Sequence, residues 1–220
     1  MLEQVPLDCL FRLEAMALAI TRFTSGDTLD IAKHVVLFLH GYGADEKDLP
    51  ELMSYLPELP WYSPRAPIDL GGAYSWYQTQ DLLKPTVADL AESTAALWGW
   101  IDEYIPKESK LILIGFSQGG LMATQLLRTR PERISGTVIL SGFMALGELD
   151  TDSQLQEIKP KVIYCRGLED QRITKEAIAT LNTWLQAKTK AITKTYSGLG
   201  HSVDGRAMLD VAAYVSAQLN

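Results

Sequence analysis

The feature that most constrains the fold is the stretch over residues 110–127, where an apolar run meets Gly-Phe-Ser-Gln-Gly without a break. The run at residues 110–114 has the aliphatic content and the length of a buried strand, and the segment from Leu121 onward favours a helix. Glycine has no Cβ and therefore fits turns in which backbones approach closely. The stretch predicts a strand and a helix joined by a sharp turn, with Ser117 at its tip.

Gly-x-Ser-x-Gly in this setting is typical of a nucleophile elbow. Such a turn exposes the Ser117 hydroxyl and directs the backbone N–H of Gln118 toward the place where an oxyanion would form. The N-terminus of the following helix adds partial positive charge there. Glycine and serine are common residues, so the pentapeptide alone is a weak indicator, and an inert serine in a glycine-rich turn is the alternative.

The composition is that of an ordinary globular chain. Its 220 residues are 47% hydrophobic and 21% charged, with a formal net charge of −7, and this length allows one sizeable core. The acidic balance and the lack of a Lys/Arg cluster argue against a nucleic-acid-binding surface. Cys9 and Cys165 fit no metal or redox spacing, so we expect reduced thiols.

The N-terminal region has no targeting signature that we recognise. Its apolar stretch at residues 15–20 is too short for a membrane span, and Glu3 and Asp8 do not suit the start of a signal peptide. We therefore expect a cytoplasmic protein without stable membrane insertion. Residues 10–23 alternate enough for one or two edge strands, although a helix is also compatible with them.

From residue 34 onward, predicted strands and helices alternate, which indicates a mostly parallel sheet with helices on both faces. The predicted strands are residues 34–39, 61–63, 110–114, 136–142, 162–166 and 192–196. The predicted helices are residues 48–56, 86–105, 121 to about 130, 174–187 and 204–219. We expect Thr86 to cap the second helix. Because ligands bind at the carboxyl ends of such strands, the loops there are the candidate site.

An activated serine needs a base, and the chain has three histidines. His34 opens an internal strand, and we interpret it as structural. His40 begins the His-Gly-Tyr-Gly loop and is expected to shape it. His201 follows a strand in a glycine-rich loop, from which an imidazole can reach Ser117. His201 is therefore the predicted base.

The imidazole in turn needs a carboxylate that orients it and stabilises its charged form. Asp170 directly follows a strand and is the predicted partner. Its neighbour Glu169 is a competing candidate, and Asp204 is a more natural cap for the last helix. The resulting order along the chain, serine, aspartate and histidine, is that of α/β-hydrolases.

The second oxyanion donor should come from the loop after an early strand. The His40-Gly41-Tyr42-Gly43 loop fits, with the N–H of Tyr42 beside that of Gln118. The alternative is a glycine turn without a catalytic role.

Several motifs in this order make the chain similar to the phospholipase/carboxylesterase family of α/β-hydrolases. This family includes acyl-protein thioesterases and small bacterial carboxylesterases. The resemblance runs from about residue 35 to the C-terminus. Its motifs are Leu39-His40-Gly41-Tyr42-Gly43-Ala44-Asp45, Pro64-Arg65-Ala66-Pro67, Ser75-Trp76-Tyr77, Gly115-Phe116-Ser117-Gln118-Gly119-Gly120, Leu140-Ser141-Gly142, Gly167-Leu168-Glu169-Asp170 and Gly200-His201.

The resemblance implies one α/β-hydrolase domain over residues 1–220, with no large lid domain. It also implies a Ser117, Asp170 and His201 triad, an oxyanion hole at Tyr42 and Gln118, no metal or cofactor, and Trp76 near the substrate cleft. Three features depart from the family. Residues 1–33 form an N-terminal edge segment that does not match clearly, Gln78 replaces a frequent aspartate, and the loop at residues 68–74 is unusual.

The expected function is a serine carboxylesterase that hydrolyses small to medium acyl esters through an acyl-enzyme. An acyl-protein thioesterase or lysophospholipase is the alternative, so ester and thioester substrates both stay open. Trp76, Phe143, Met144 and Leu168 are candidates for the substrate pocket. A homodimer is an expectation taken from the family alone.

Three other functional classes are weighed against this expectation. A dienelactone hydrolase would be expected to have cysteine at the elbow, where this chain has Ser117. A peptidase usually needs further domains, for which the chain offers no room. A non-catalytic binding protein on the same fold has no need of all three triad groups.

Overall fold

The computed structural model describes residues 33–219, and the edge strands expected at residues 10–23 lie outside them. The strands are β1 (His34–Leu39), β2 (Trp61–Tyr62), β3 (Ile68–Asp69), β4 (Tyr74–Ser75), β5 (Lys110–Phe116), β6 (Ile134–Leu140), β7 (Lys161–Gly167) and β8 (Lys190–Tyr196). Six of them form a parallel sheet in the order β2-β1-β5-β6-β7-β8. The prediction of a mostly parallel sheet is confirmed.

Five α-helices connect these strands. They are α1 (Ala91–Tyr104), α2 (Gln118–Thr129), α3 (Asp152–Ile158), α4 (Lys175–Lys188) and α5 (Gly205–Ser216). Two short 3-10 helices, Pro50–Tyr55 and Pro131–Arg133, complete the order of elements in the described chain. Among the described helices, none combines the length and hydropathy that crossing a bilayer would require.

The central strands are apolar throughout because helices cover both faces of the sheet. All six residues of β1 are buried. Leu37 belongs to a core cluster that includes Ile101 of α1, whereas the next residue, Phe38, belongs to a second cluster that includes Val211 of α5. The alternation of β1 between the two clusters places α1 and α5 on opposite faces of the sheet.

The helix predicted from Thr86 begins five residues later, at Ala91. Thr86 does exchange hydrogen bonds with Asp89, through Thr86 N–H to Asp89 Oδ2 at 2.7 Å and Asp89 N–H to Thr86 Oγ1 at 3.3 Å. The N–H of Val87, however, donates to the carbonyl of Leu146 at 2.8 Å, and Thr86 forms a parallel bridge with Leu146. This pairing with a distant segment keeps the backbone out of the helix until Ala91.

Three further segments differ from the predictions. Residues 48–56 contain the 3-10 helix Pro50–Tyr55 in place of an α-helix. The loop at residues 68–74 contributes to an antiparallel hairpin of β3 and β4. The seven-residue helix α3 had no counterpart among the predictions, since so short a segment shows little periodicity.

Helix α3 is held by a buried ion pair with helix α2. Arg128 donates from Nε to Oδ1 of Asp152 at 2.9 Å and from Nη2 to Oδ2 at 2.6 Å. The Arg128 side chain is 1% exposed and that of Asp152 is 8% exposed. Burial alone would raise the pKa of Asp152, but the hydrogen bonds from Arg128 and from the N–H of Leu149 hold it below its ordinary value.

Removing the charge of Asp152 should therefore destabilise the fold. We expect Asp152→Asn to lower the free energy of unfolding at pH 7 by about 3–5 kcal/mol, because a buried guanidinium loses its counterion. Since the folded pKa of Asp152 is depressed, its stabilising contribution is present above the pKa of the unfolded chain, about 4, and is lost as pH falls through the folded value. Urea unfolding of both proteins at descending pH measures the size of this loss of unfolding free energy and the direction in which it changes with pH.

The matched control is Asp150→Asn, which removes the same charge from an exposed side chain two residues away. This variant should unfold like the wild type. Equal losses of unfolding free energy in the two variants would contradict the account of the ion pair. So would a difference in unfolding free energy between the wild type and Asp152→Asn that increases below about pH 4.

Candidate active site

Ser117 lies in the turn between β5 and α2, with φ of 53° and ψ of −114°. Positive φ is uncommon for a residue other than glycine, so the surrounding structure must hold this conformation. A Cβ on Gly115 would lie 2.1 Å from the carbonyl oxygen of Gly119, and one on Gly119 would lie 1.8 Å from that of Leu39. The flanking glycines are therefore required by close backbone packing, as the sequence pattern indicates.

Three loops at the carboxyl ends of β5, β7 and β8 bring Ser117, Asp170 and His201 together. His201 Nδ1 lies 2.8 Å from Asp170 Oδ2, and His201 Nε2 lies 3.0 Å from Ser117 Oγ. With the proton assigned to Nδ1, the imidazole donates to the carboxylate and accepts from the hydroxyl. This arrangement suits the removal of a proton from Ser117.

The second oxygen of Asp170 is also occupied. Its Oδ1 accepts from the backbone N–H groups of Arg172 at 2.9 Å and Ile173 at 3.2 Å. Of the two competing carboxylates, Glu169 is exposed, and Asp204 caps α5 by accepting from the N–H of Ala207 at 3.0 Å. The carboxylate that accepts the hydrogen bond of His201 is thus that of Asp170, whose side chain is 1% exposed.

The loop that carries Tyr42 is fixed by the buried side chain of His40. His40 Nδ1 lies 2.8 Å from the carbonyl of Gly41, and Nε2 accepts from the N–H of Ala66 at 3.0 Å. Burial lowers the pKa of His40, which favours the neutral imidazole that can accept at Nε2. Trp76 Nε1 donates to the carbonyl of His40 at 2.9 Å and holds the loop from its other side.

The side chain of Gln118 ties the elbow to strand β4. Its Oε1 accepts from the N–H of Trp76 at 3.0 Å, and its Nε2 donates to Ser75 Oγ at 3.0 Å. Within residues 33–219, the backbone N–H groups of Tyr42 and Gln118 donate to no other protein group. Two such unpaired donors beside a serine hydroxyl are what an oxyanion hole requires.

A cavity of about 500 Å³ opens over Ser117 and His201, and Tyr42 and Gln118 also line it. Its apolar wall consists of Tyr77, Leu82, Leu83, Phe116, Phe143 and Ile173. Arg172 is the one arginine among the lining residues. Such a volume is within the usual range for small-molecule sites, about 300–1,000 Å³.

Of the four residues expected to form the substrate pocket, only Phe143 belongs to the lining of this cavity. Trp76 is fully buried behind the His40 loop. Met144 packs in a core cluster with residues of α3 and α4, and Leu168 is 52% exposed outside the cavity. The structure therefore places these three residues outside the cavity lining and Phe143 within it.

Sequence reasoning missed most of the wall. Tyr77, Leu82 and Leu83 follow the aromatic loop directly, and Arg172 and Ile173 follow Asp170 directly. These lining residues could have been predicted from the fact that they directly follow predicted site residues in the sequence. No group of three or more His, Cys, Asp or Glu side chains suited to a metal ion occurs in the described part of the chain.

Comparisons with known proteins agree with this geometry. A sequence model of the family described as Phospholipase/Carboxylesterase matches residues 27–219. Acyl-protein thioesterase 1 of Kluyveromyces lactis is 28% identical over 213 residues, covering 86% of this chain and 93% of the relative. Carboxylesterase SOBER1 of Arabidopsis thaliana is 24% identical over 210 residues, covering 86% of this chain and 92% of the relative.

The solved structures show the same fold. A carboxylesterase of Bacillus cereus superposes with a TM-score of 0.71 at 19% identity, covering 84% of this chain and 89% of the other. This structural similarity shows the α/β-hydrolase fold. The match to the family sequence model shows, in addition, that the chain is a member of the family. The chain therefore belongs to the phospholipase/carboxylesterase family, whose members are serine carboxylic-ester hydrolases of the α/β-hydrolase fold.

Proposed function

We propose that this protein is a serine carboxylesterase that hydrolyses small to medium acyl esters through an acyl-enzyme on Ser117. The observation that carries the proposal is the continuous set of hydrogen bonds from Asp170 through His201 to Ser117 Oγ. This set lies at a cavity that also holds the two unpaired N–H groups of Tyr42 and Gln118. A protein that only binds its ligand would not need these groups in this arrangement.

Acylation begins when Ser117 Oγ attacks the ester carbonyl carbon and its proton passes to His201 Nε2. The buried carboxylate of Asp170 stabilises the imidazolium and keeps the ring in the productive orientation. The imidazolium then gives the proton to the departing alkoxide, which leaves as an alcohol. The product of this half-reaction is an acyl ester of Ser117.

The carbonyl oxygen becomes negatively charged in the tetrahedral intermediate. The N–H groups of Tyr42 and Gln118 are the proposed donors to it, and the N-terminus of α2 adds its dipole. Losing one such donor typically costs about 3 kcal/mol in the transition state. The buried contacts of His40 and the Gln118 side chain are therefore part of the proposed machinery, because they hold both donors in place.

Deacylation repeats the same steps with water. His201 removes a proton from a water molecule, the hydroxide attacks the acyl carbon, and the oxyanion hole again receives the charge. Collapse of the intermediate returns the proton to Ser117 Oγ and releases the carboxylic acid. The cycle needs no group beyond the side chains and N–H donors named above.

The cavity sets the expected substrate size. A volume of about 500 Å³ with an apolar wall fits acyl groups of small to medium length. A thioesterase activity is the second candidate, since the Kluyveromyces lactis relative is named an acyl-protein thioesterase and a thioester offers the same carbonyl to Ser117. Lysophospholipids are a further alternative for the same chemistry.

Removal of the nucleophile tests the mechanism. We expect Ser117→Ala to lower kcat/KM for p-nitrophenyl esters by at least about 10⁴-fold, because no other hydroxyl within residues 33–219 donates a hydrogen bond to His201 Nε2. A series of increasing acyl length, measured with the wild type, sizes the pocket. Short-chain preference would favour a carboxylesterase, whereas long-chain preference would favour lipid or acyl-protein substrates.

Hydrolysis of these esters by Ser117→Ala at the wild-type rate would overturn the serine mechanism. Thermal unfolding of the variant serves as the control for folding, and its Tm should stay close to that of the wild type because the substitution removes only one hydroxyl.

Removal of the orienting charge tests the choice of carboxylate. We expect Asp170→Asn to lower kcat by about 10³–10⁴-fold, since an amide neither stabilises the imidazolium nor selects the same tautomer. The matched control is Glu169→Gln, which removes the adjacent exposed charge and should leave kcat within about twofold of the wild type. Steady-state kinetics of both variants on one ester suffices, and a larger loss in Glu169→Gln would refute the assignment.

A further inference from the structure

We propose that Arg172 is a specificity-determining residue that makes this enzyme prefer esters carrying a carboxylate at a distance from the reacting carbonyl. The inference deepens the proposed function and rests on it. Its basis is Arg172, a lining residue of the cavity that holds Ser117 and His201, whose guanidinium has no ion-pair or hydrogen-bond partner within residues 33–219.

Arg172 differs from every other arginine in the described part of the chain. Five of the seven described arginines pair with carboxylates, and Arg166 donates to the carbonyl of Gly167 at 3.1 Å. The five pairs are Arg65–Glu46, Arg128–Asp152, Arg130–Asp102, Arg133–Asp102 and Arg206–Asp204. The Arg172 side chain makes no ion pair or hydrogen bond with any residue of 33–219. In a chain of net charge −7, an arginine without an acidic partner is unusual.

The surroundings of this guanidinium favour an anion from a substrate. No carboxylate lines the cavity, and apart from Arg172 and His201 its lining side chains are uncharged. Arg172 is exposed, and it shares the cavity lining with the apolar side chains of Leu82, Leu83 and Phe143, against which the rest of a substrate can pack. A substrate carboxylate would therefore meet a cation without competition from the protein.

The backbone of Arg172 is fixed relative to the triad. Its N–H donates to Oδ1 of Asp170 at 2.9 Å, while Oδ2 of the same carboxylate binds His201. The next residue, Ile173, also donates to Oδ1 and is buried in the core at 4% exposure. The Cα of Arg172 therefore keeps a constant position relative to Ser117. Such a fixed position is needed if Arg172 is to select substrates by the distance between their carboxylate and their reacting carbonyl.

The chemistry of the guanidinium selects the class of ligand. A planar fork of N–H donors matches the two oxygens of a carboxylate, and charge-assisted hydrogen bonds of this kind are about twice as strong as neutral ones. A neutral ester fits the same apolar wall but gains nothing from Arg172. An ester with a cationic end would be repelled. We therefore expect discrimination by charge in the order anionic, neutral, cationic.

Two matched pairs of esters test the preference and locate the carboxylate. In the first pair the charge is on the alcohol side, with para-butyryloxybenzoate compared with its methyl ester. In the second it is on the acyl side, with p-nitrophenyl hydrogen suberate compared with p-nitrophenyl octanoate. The readout is the ratio of kcat/KM for the anionic ester to that for its neutral partner. Intrinsic differences in leaving-group reactivity cancel, because each ratio is compared between variants.

We expect Arg172→Gln to lower this ratio by about 10-fold in at least one pair, because the anionic ester loses its charge-assisted hydrogen bonds and the neutral ester has none to lose. Arg172→Lys should give an intermediate ratio, since lysine retains the charge but not the fork. The ratio for the wild type should also fall with added salt. The control is Lys107→Gln, an exposed cation before the amino end of β5, opposite the active site, which should leave the ratio unchanged.

Unchanged ratios in both pairs for Arg172→Gln would overturn the inference, as would an equal fall in Lys107→Gln. Neither result would affect the proposed function, because hydrolysis of the neutral esters would persist. If the wild type instead fails to hydrolyse the neutral esters, or Ser117→Ala hydrolyses them equally well, the proposed function fails and this inference fails with it.

Discussion

The close packing of the N-terminus of α2 against the ends of β1 and β5 is the constraint on which the site depends. The Cα of Gly119 lies so near the carbonyl of Leu39 that any side chain there would collide with backbone. This approach places the N–H of Gln118 beside the loop that begins after β1 and carries Tyr42. The same turn holds Ser117 at a positive φ, which exposes its hydroxyl to His201. The nucleophile and both proposed oxyanion donors thus converge at this backbone contact, and the loop after β8 brings His201 to them.

The buried polar side chains next to this contact hold the surrounding loops in place through hydrogen bonds. His40 uses both ring nitrogens on backbone groups, and the Gln118 side chain bridges to Ser75 and Trp76. Buried polar groups stabilise a structure only when their hydrogen bonds are made, and here those bonds connect the two oxyanion loops. The proposed oxyanion hole is therefore held in place by side chains whose polar atoms are already paired with protein groups. Preorganisation of this kind lowers the cost of forming the charged intermediate.

Much of this architecture was predictable from the residues alone. Strands β1, β5, β6 and β7 are largely buried on both faces, so each of their sequences contains an apolar run that indicates a strand. The residues at their carboxyl ends are then brought together by topology, which is why Ser117, Asp170 and His201 could be selected without coordinates. The parallel order of the sheet places these three ends on one edge.

The parts that could not be predicted depend on contacts between distant segments. Helix α1 starts late because the backbone at Thr86 pairs with Leu146, sixty positions further along the chain. The pocket wall was largely missed because the direction of a loop side chain is set by the turn that carries it. Met144 and Leu168 follow strands as Phe143 does, yet only Phe143 reaches the cavity. The pattern of apolar residues identifies a strand, but it does not predict the path of the loop that follows the strand.

The central claim is that Asp170 and His201 activate Ser117 as a covalent nucleophile. The most direct measurement is the reaction of the intact protein with a fluorophosphonate, followed by mass spectrometry of the labelled peptide and by the rate of labelling in the wild type and in Asp170→Asn. The account predicts one adduct, on Ser117, whose formation slows strongly in Asp170→Asn. An adduct on another residue, no adduct at all, or equal rates with and without the Asp170 carboxylate would contradict it.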